Sequence, residues 1–388
     1  MVHLLLAIIY IAFISLGLPD SLLGAAWPVM HEDLGAPLSY AGIISMIIAF
    51  GTVVSSLQSD RLTLWLGTGK VTAISVAMTA TALFGFSASS EFWMLCLWAI
   101  PYGLGAGGVD AALNNYVALH CRSWHMSWLH CMWGVGASLG PVIMGQALAG
   151  SGWQGGYRII GILQVVLTVV LLFSLPLWKL PQDAMGGEPF TPQHRSFPEL
   201  LKITGVPEVL VCFLCYCALE STAGMWASSY CTLVRGLDAQ TAASWASLFY
   251  LGITAGRFVS GFLTIKMSDR NMIRLGQVLI ALGILLVLLP AGNNVLFVGL
   301  ILIGLGCAPV YPCIIHETPV NFGRELSMSM TGLQMAFAYV GSCLAPPLFG
   351  LLAQNVTPRL YPWYLAVGLV VMVIMSESLH AKKAAEHR

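Results

Sequence analysis

Three carboxylates lie inside long apolar runs of this sequence, where an ionised side chain is costly. Asp20, Asp110 and Glu220 each stand near the middle of such a run. On insertion scales a charged side chain at the centre of a membrane helix costs about 2.5–3.5 kcal/mol, and such residues face a cavity, pair with another group or carry an ion. An acid in poorly hydrated surroundings also holds a proton more readily. The chemistry predicted here is binding of a coupling cation, either H+ or Na+. The alternative is a neutral, hydrogen-bonded acid that only fixes helix packing.

Polar and aromatic side chains at helical spacing accompany one of these acids. Asp110 and Asn114 are four residues apart and share a helix face, whereas Asn115 points about 100° away. His130 and Trp133 share a face of the next run. A carboxylate beside an amide accepts and donates hydrogen bonds as sugar hydroxyls require, and an aromatic plane with a polar neighbour suits a sugar ring. We therefore expect a sugar-like ligand, with hydrogen bonding between helices as the alternative role.

Other candidate ligand contacts are single polar or aromatic residues inside the apolar runs. Trp226 and Tyr230 either line an outer vestibule or belong to the aromatic belt at the membrane surface, and Trp27 allows the same two interpretations. The remaining polar candidates are Gln164, Tyr311 and Gln334.

Only a membrane-spanning scaffold explains where these residues stand. The chain has 388 residues, of which 57% are hydrophobic and 9% are charged, whereas soluble proteins carry about a quarter charged residues. A spanning helix needs roughly 20 apolar residues. Lys and Arg balance Asp and Glu at 17 each and form no basic patch, so a nucleic-acid partner is not expected. Twelve apolar runs are predicted, at 3–30, 38–58, 70–88, 91–120, 126–150, 158–179, 207–235, 238–264, 271–291, 294–319, 326–353 and 360–379.

Several other sites and segments are not expected. Cys212, Cys215 and Cys217 lie close together, but a structural zinc ion normally takes four suitably spaced ligands. The glycine-rich stretch 103–108 has no strand before it, so helix packing explains it better than nucleotide binding. The first apolar run has no basic segment before it, which argues against a cleavable signal peptide. We expect no metal, no cofactor and no enzymatic activity.

The positions of Lys and Arg predict the orientation in the membrane. With the N-terminus inside, the inner loops and C-terminal tail hold thirteen of these residues, and the outer loops hold Arg158, Arg235 and Arg359. Because inner loops carry the positive excess, both termini are expected in the cytoplasm. The expected location is a plasma membrane, namely a bacterial inner membrane. The predicted organisation is a six-helix bundle at 1–179, a cytoplasmic linker at 180–206 and a second six-helix bundle at 207–388.

Short segments recur at nearly one offset, between 201 and 209 residues. Gly103-Leu-Gly105 recurs as Gly304-Leu-Gly306, and Gly140-Pro141 matches Ala345-Pro346. Ser59-Asp60-Arg61 recurs as Ser268-Asp269-Arg270. Such matches indicate two parallel six-helix halves.

The repeated Asp-Arg pairs stand at the predicted inner ends of their helices. Asp60-Arg61 and Asp269-Arg270 are therefore predicted to form charge pairs and helix-end contacts that hold the inner side closed and open during a conformational cycle. Arg257, near the inner end of its run, is a further gating candidate that pairs with Glu317 or simply extends to the membrane surface.

Three stretches, 103–116, 128–137 and 304–312, carry a resemblance that covers the whole chain. The sequence resembles major facilitator proteins of the fucose/proton symporter type and the related sodium-dependent glucose transporter branch. The resemblance implies an all-α integral membrane protein of twelve transmembrane helices in two pseudo-symmetric bundles, a monomer with a sugar as substrate. It further implies that Asp110 and Asp20 serve proton coupling and sugar recognition. Asp110 stands where the family has Glu, which leaves the coupling ion open.

Two other functions remain open from the sequence. Gly136, Gly140-Pro141 and Gly145 partly resemble the fifth-helix motif of drug/proton antiporters. A proton-driven exporter of drugs or amphipathic metabolites is therefore the alternative function. A receptor or scaffold that transports nothing is the third, although it would have no need of acids inside the membrane.

Overall fold

The computed structural model describes residues 2–37, 40–179, 191, 193–237 and 239–386. All regular elements in this part of the chain are helices. A backbone in lipid has no water to bond, so a helix that satisfies its own N–H and C=O groups is favoured in an apolar run. Among the described residues, eleven helices are long and apolar enough to cross a membrane, and a shorter apolar helical stretch covers Leu248–Leu263. The twelve predicted runs thus all correspond to helices.

Seven α-helices lie in the described part of the first half of the chain. The predicted run 3–30 is divided between α1 and α2. The helices are α1 (Val2–Asp20), α2 (Leu22–Asp33), α3 (Ala41–Leu66), α4 (Thr68–Ala88), α5 (Phe92–His120), α6 (Ser123–Leu148) and α7 (Gly152–Ser174), followed by a 3-10 turn at Leu175–Lys179.

The residues that the structure describes in the second half form six long α-helices and two short ones. Ser196 caps the short α8 through a capping box with Glu199. The helices are α8 (Phe197–Leu200), α9 (Val206–Leu233), α10 (Ala239–Leu263), α11 (Asp269–Leu288), α12 (Asn293–His316), α13 (Thr318–Phe322), α14 (Ser327–Asn355) and α15 (Tyr361–Glu386), with a 3-10 turn at Pro358–Leu360 before α15.

The chain divides into two compact units that each include a short segment distant in sequence. The first unit contains the start of α14, and the second contains the start of α6. Unit 1 comprises Met1–Cys121, Trp128–His194 and Arg324–Ala336. Unit 2 comprises Arg122–Ser127, Arg195–Gly323 and Phe337–Arg388.

The repeated Gly-Leu-Gly segment packs in the same way inside each unit. In unit 1, a Cβ on Gly103 would collide with the backbone of α3, and one on Gly105 would meet the backbone and Thr79 of α4. In unit 2, Gly304 faces the backbone of α10 and Gly306 that of α11. Glycine permits these close approaches because it has no side chain. The prediction that segment 103–108 is a helix-packing surface is confirmed.

Several predicted helix limits are wrong, and some of these differences move a charged residue into a helix. The run at 38–58 ends too early, because α3 continues to Leu66 and holds Asp60 within its last turns. Its polar residues there are buried, with Ser59 2% and Asp60 4% exposed. Burial against the rest of unit 1, which hydropathy does not register, lets the helix continue. Likewise α7 begins at Gly152, so Arg158 lies in a helix and not in a loop.

Most of the predicted linker 180–206 lies outside the described residues, which lack 180–190 and 192. Asp183 and Glu188 belong to that part. The remainder holds His194 and the short helix α8.

Candidate functional site

Asp20 is an exposed carboxylate at the break between α1 and α2. The Tyr102 hydroxyl donates to its Oδ1 at 3.1 Å, and the Trp133 indole Nε1 donates to its Oδ2 at 2.9 Å. An ionised carboxylate has about four acceptor sites. These two donors therefore leave capacity for a ligand hydroxyl or a cation. The structure brings two predicted site residues, Asp20 and Trp133, into direct contact.

Asp110, Asn114 and His130 form a buried hydrogen-bonded chain. The Asn114 amide nitrogen donates to Asp110 Oδ1 at 2.7 Å and to the Asp110 carbonyl at 3.0 Å. His130 Nε2 lies 3.0 Å from Asn114 Oδ1. Because an amide oxygen only accepts, His130 carries its proton on Nε2 in this arrangement. The three residues are 0–5% exposed, so this hydrogen-bonded chain is buried within unit 1.

Gln164 and Asn115, two predicted ligand contacts of unit 1, form hydrogen bonds to other segments of the chain. Pro19 has no N–H, which leaves the Ser15 carbonyl four residues earlier without its helical partner. The Gln164 amide donates to that carbonyl at 2.5 Å, and the Ser15 hydroxyl donates back to Gln164 at 2.8 Å. Asn115 accepts a hydrogen bond from the Ser327 hydroxyl at 2.7 Å.

Glu220 and Arg257 meet in unit 2, between α9 and α10. Arg257 Nη2 lies 3.5 Å from Glu220 Oε1, and Arg257 is 3% exposed. The Tyr216 hydroxyl donates to Glu220 Oε2 and also lies 2.8 Å from the Cys307 carbonyl oxygen. The expected partner of Arg257 was Glu317, but that carboxylate lies 3.4 Å from His380 Nε2. Arg257 therefore belongs to the polar cluster around Glu220.

The aromatic candidates of unit 2 mostly pack between helices. Trp226 Nε1 donates to the Pro346 carbonyl at 3.0 Å, and the Tyr230 hydroxyl donates to the Val287 carbonyl at 3.3 Å. The ring centre of Tyr311 lies 6.2 Å from that of Tyr216, whose hydroxyl donates to Glu220.

Trp27 and Gln334 are both buried in unit 1. Trp27 is 4% exposed and belongs to an apolar cluster with Leu22 and Met30, while Gln334 is fully buried in α14. These positions place both side chains in the helix packing of the unit.

Asp60, the first gating candidate, accepts three hydrogen bonds within unit 1. His194 Nδ1 lies 2.5 Å from Oδ2, the Ser329 hydroxyl donates to Oδ2 at 2.6 Å, and the Arg61 backbone N–H donates to Oδ1 at 2.6 Å. Arg61 Nε donates to His194 Nε2 at 3.0 Å. In this arrangement Nδ1 of His194 is the donor to Asp60 and Nε2 is the acceptor from Arg61.

Asp269, the repeat counterpart of Asp60, has matching partners in unit 2. It accepts a hydrogen bond from the Ser123 hydroxyl, and His316 Nδ1 lies 2.6 Å from its Oδ2. Ser123 and Ser329 lie in the first turns of α6 and α14, where a negative charge is favoured by the helix dipole. Arg270 lies 3.4 Å from Glu377.

Sequence reasoning missed the partners of these acids, although some had a signal. Tyr216 is four residues before Glu220, on the same helix face. Ser123 and Ser329 are 206 residues apart, within the range of the repeat offsets. Tyr102 and His194 carry no comparable signal, because only the fold brings them to Asp20 and Asp60.

Comparison with known proteins gives one family. A sequence model of the Major Facilitator Superfamily matches residues 9–246 and 236–386. An uncharacterized transporter, y4wD of Sinorhizobium fredii, is 24% identical over 355 residues, with 86% of each chain covered.

Solved structures with the same fold include FucP, the Escherichia coli fucose:proton symporter, in an outward conformation. That structure has a TM-score of 0.78 at 15% identity and covers 96% of this chain and 97% of its own. The human organic anion transporter MFSD10 has a TM-score of 0.75 at 14% identity, covering 96% of this chain and 98% of its own.

Proposed function

Because the chain belongs to the major facilitator superfamily of multi-pass membrane transporters, we propose that it is a cation-coupled symporter of a monosaccharide or related polyol. The observation that carries the proposal is the exposed Asp20 carboxylate held by the Trp133 indole. An acceptor next to an aromatic ring suits the hydroxyls and apolar face of a sugar. The likeness to a fucose:proton symporter supports the same substrate class and favours a proton over sodium.

Asp20 and Asp110, the two candidate coupling acids of unit 1, have different roles in this proposal. Asp20, which is exposed, binds the substrate together with Trp133. Asp110, which is buried with Asn114 and His130, holds the coupling cation. Asp20 and Asp110 differ in exposure but belong to one unit. Binding of the cation at Asp110 therefore favours binding of the substrate at Asp20, and the reverse.

The proposal includes the arrangement of the protein in the cell. The protein is a monomeric carrier in a bacterial inner membrane. Its two bundles, 1–179 and 207–388, work by alternating access. Both termini and the linker 180–206 lie in the cytoplasm, as the excess of Lys and Arg in those loops supports. The clusters at Asp60 and Asp269 act as latches on that side.

Uptake into proteoliposomes tests the function. Labelled monosaccharides are supplied under an imposed proton gradient, an imposed sodium gradient or neither. We expect saturable accumulation of at least one sugar under one gradient, and counterflow of that sugar without a gradient. Absence of saturable uptake of any sugar under both gradients would contradict the proposal.

Helix packing weakens the case for the alternative function, a drug exporter. Cβ atoms on Gly136 and Gly140 would collide with the Ile14 and Leu18 carbonyls of α1, so close contact with α1 accounts for both glycines. Overexpression with a drug panel separates the functions, with Asp110→Asn as the inactive comparison. Raised resistance that this variant abolishes would favour export.

A further inference from the structure

The end of α15 carries a histidine whose two ring nitrogens both face oxygen acceptors. His380 Nδ1 lies 2.7 Å from the Ser376 carbonyl oxygen, one turn earlier in the same helix. On the other side of the ring, Nε2 lies 3.4 Å from Glu317 Oε2. Nε2 is a buried atom without a hydrogen-bond partner among the described residues. The protonation of this ring therefore decides whether it can bind the Glu317 carboxylate.

The two contacts of His380 together require one proton more than a neutral ring carries. A carbonyl oxygen only accepts, so Nδ1 keeps its proton for Ser376, and Nε2 of the neutral ring is then an acceptor. An ionised carboxylate is also an acceptor, so a neutral His380 and an ionised Glu317 would repel each other here. Imidazole is more basic than a carboxylate, with ordinary pKa values of about 6.5 and 4.3, so the added proton lies on Nε2.

His194 in unit 1 differs from His380 in this respect. Its Nδ1 is the donor to Asp60, and its Nε2 is the acceptor from Arg61. An added proton would break the contact with Arg61, whereas at His380 an added proton makes the contact with Glu317. His380 is therefore the histidine of the two whose contact with a carboxylate forms on protonation.

We propose that His380 and Glu317 form a proton-binding site that fastens the end of α15 to the turn between α12 and α13 at low pH and releases it as the pH rises. Histidine is the side chain whose ordinary pKa lies between pH 5 and pH 8, so a change across this range alters the charge of the ring. The site lies in unit 2 and shares no residue with the candidate sites at Asp20 and Asp110. It depends on neither the substrate nor the coupling ion of the proposed function.

Two other ion pairs at the end of α15 keep their charges between pH 6 and pH 8. Glu377 pairs with Arg274 of α11, and Lys382 pairs with Glu208 of α9. Carboxylates, guanidinium groups and ammonium groups are ionised throughout this range at their ordinary pKa values. Loss of the His380 contact should therefore loosen the end of α15 without detaching it.

The groups that face this pair come from three other helix positions. Arg270 of α11 faces His380, and its positive charge opposes that of the protonated ring. The thiols of Cys212 on α9 and Cys313 on α12 face Glu317. The Glu317 carboxylate thus supplies the negative charge that balances the protonated ring at this contact.

A second histidine close in sequence has to be separated from His380 in the test. His316 precedes Glu317, and its Nδ1 lies 2.6 Å from Asp269 Oδ2. This contact joins α12 to α11, and its charges also change with pH. A readout confined to the end of α15, together with variants of the His380 pair, separates the two.

Hydrogen–deuterium exchange of the purified full chain at pH 6 and pH 8 tests the proposal. After correction for the intrinsic effect of pH on exchange, residues 376–386 should be about three- to tenfold better protected at pH 6, as expected for one partly buried charged contact. Equal protection of these residues at the two pH values would overturn the proposal.

Two variants should remove the pH dependence without breaking the contact. In Glu317→Gln, the amide donates to Nε2 of the neutral ring and accepts from Nε2 of the protonated ring. In His380→Gln, the amide donates to the ionised Glu317 at either pH. Both variants should protect residues 376–386 equally at pH 6 and pH 8. A pH dependence that survives in either variant would belong to another group, such as His316, and would overturn the proposal.

Glu208→Gln is the matched control, because it makes the same substitution in the partner of Lys382. It removes an ion pair that does not change between pH 6 and pH 8. Protection of residues 376–386 should fall at both pH values, and the ratio between them should stay that of the wild type. A flattened ratio in this control would show that any weakening of the end of α15 removes the pH dependence, and would contradict the assignment to His380.

Nitrogen NMR of histidine-labelled protein reports the state of the ring directly. The signals of His380 are those that disappear in His380→Gln. We expect a doubly protonated ring at pH 6 and, at pH 8, a neutral ring with its proton on Nδ1, the tautomer that the Ser376 carbonyl requires. A neutral ring at pH 6, or a proton on Nε2 alone at pH 8, would overturn the proposal. No substrate is used in these measurements, so their outcome is independent of the proposed transport function.

Discussion

At the scale of single residues, unit 1 offers two carboxylates in contrasting surroundings. Asp20 is exposed and accepts from an indole and a phenol, whereas Asp110 is 4% exposed and accepts from the Asn114 amide. Carboxylates in different environments take different roles in proteins.

Replacement of Asp110 by Asn separates coupling from binding. The new amide keeps the size and an oxygen acceptor for Asn114 but cannot exchange a proton at working pH. Accumulation driven by a gradient should be abolished, while counterflow stays within about tenfold of the wild type. Asp33→Asn is the control, because Asp33 accepts from Trp153 at 2.8 Å at the end of α2. Normal accumulation by Asp110→Asn would move the coupling role to Asp20 or Glu220.

The contribution of the Trp133 indole N–H to substrate affinity can be measured by itself. Trp133→Phe keeps an aromatic ring but loses the donor to Asp20. A bond to a charged group is worth about 1.5–3 kcal/mol when buried, and less at this exposed position. Substrate affinity should fall about three- to tenfold in a binding assay. Trp153→Phe loses the same kind of bond to Asp33 and should leave affinity unchanged.

At the scale of helices, close contact between α1 and α6 positions Trp133 relative to Asp20. A Cβ on Gly17 would meet the Trp133 carbonyl and the Ala137 backbone nitrogen, and a Cβ on Gly136 would meet the Ile14 carbonyl. Both obstacles are backbone atoms, which cannot move aside as a flexible side chain can. The pair of glycines thus sets the distance at which the two helices present the candidate site.

Gly136→Ala should destabilise the protein, whereas Gly145→Ala should not. Overpacking costs about 1–3 kcal/mol, while Ala in an open helical position gains about 1 kcal/mol over Gly. Gly145 has no atom within 4 Å of an added Cβ. Thermal unfolding in detergent should show a lower midpoint for Gly136→Ala and an equal or higher one for Gly145→Ala. Equal midpoints for the two variants would contradict the packing argument.

The sequence allowed prediction of the helices and the buried acids, but not of their partners. Apolar runs find helices because lipid selects for both length and composition. They do not find the break at Ser21, since the residues on either side are equally apolar, nor the last turns of α3, where buried Asp60 continues a polar face. Helix ends alone predict that Arg257 pairs with Glu317 or extends to the membrane surface. Its contact with Glu220 depends on the rotation of α9 against α10, which a single sequence does not fix.

At the scale of the whole molecule, the two units have the same design of latch. Asp60 binds Ser329 in the first turn of α14, and Asp269 binds Ser123 in the first turn of α6. In each case the segment held belongs to a helix that continues into the other unit. Loss of one latch should therefore release the first turns of that helix from the unit that holds them, while the helix itself stays continuous.

Hydrogen–deuterium exchange tests each latch against the other. Asp60→Asn should speed exchange in residues 324–336 by at least about tenfold, because a charged acceptor of several bonds is lost. Asp269→Asn should do the same for residues 122–127 only. Each variant is the control for the other. Uniform acceleration in both segments by either variant would show general destabilisation instead of a local latch.

Because residues 324–336 belong to unit 1, this unit cannot be completed until late in the synthesis of the chain. This unit is assembled from residues up to His194 and then from a segment that ends at Ala336, which is 142 residues later (336 − 194). At about 5–20 residues per second the ribosome needs roughly 7–28 s for that interval. Until then Asp60 has no Ser329 and Asn115 no Ser327. The first half of the chain therefore waits in the membrane as an incomplete intermediate, and its last contacts form only when most of the second half has been made.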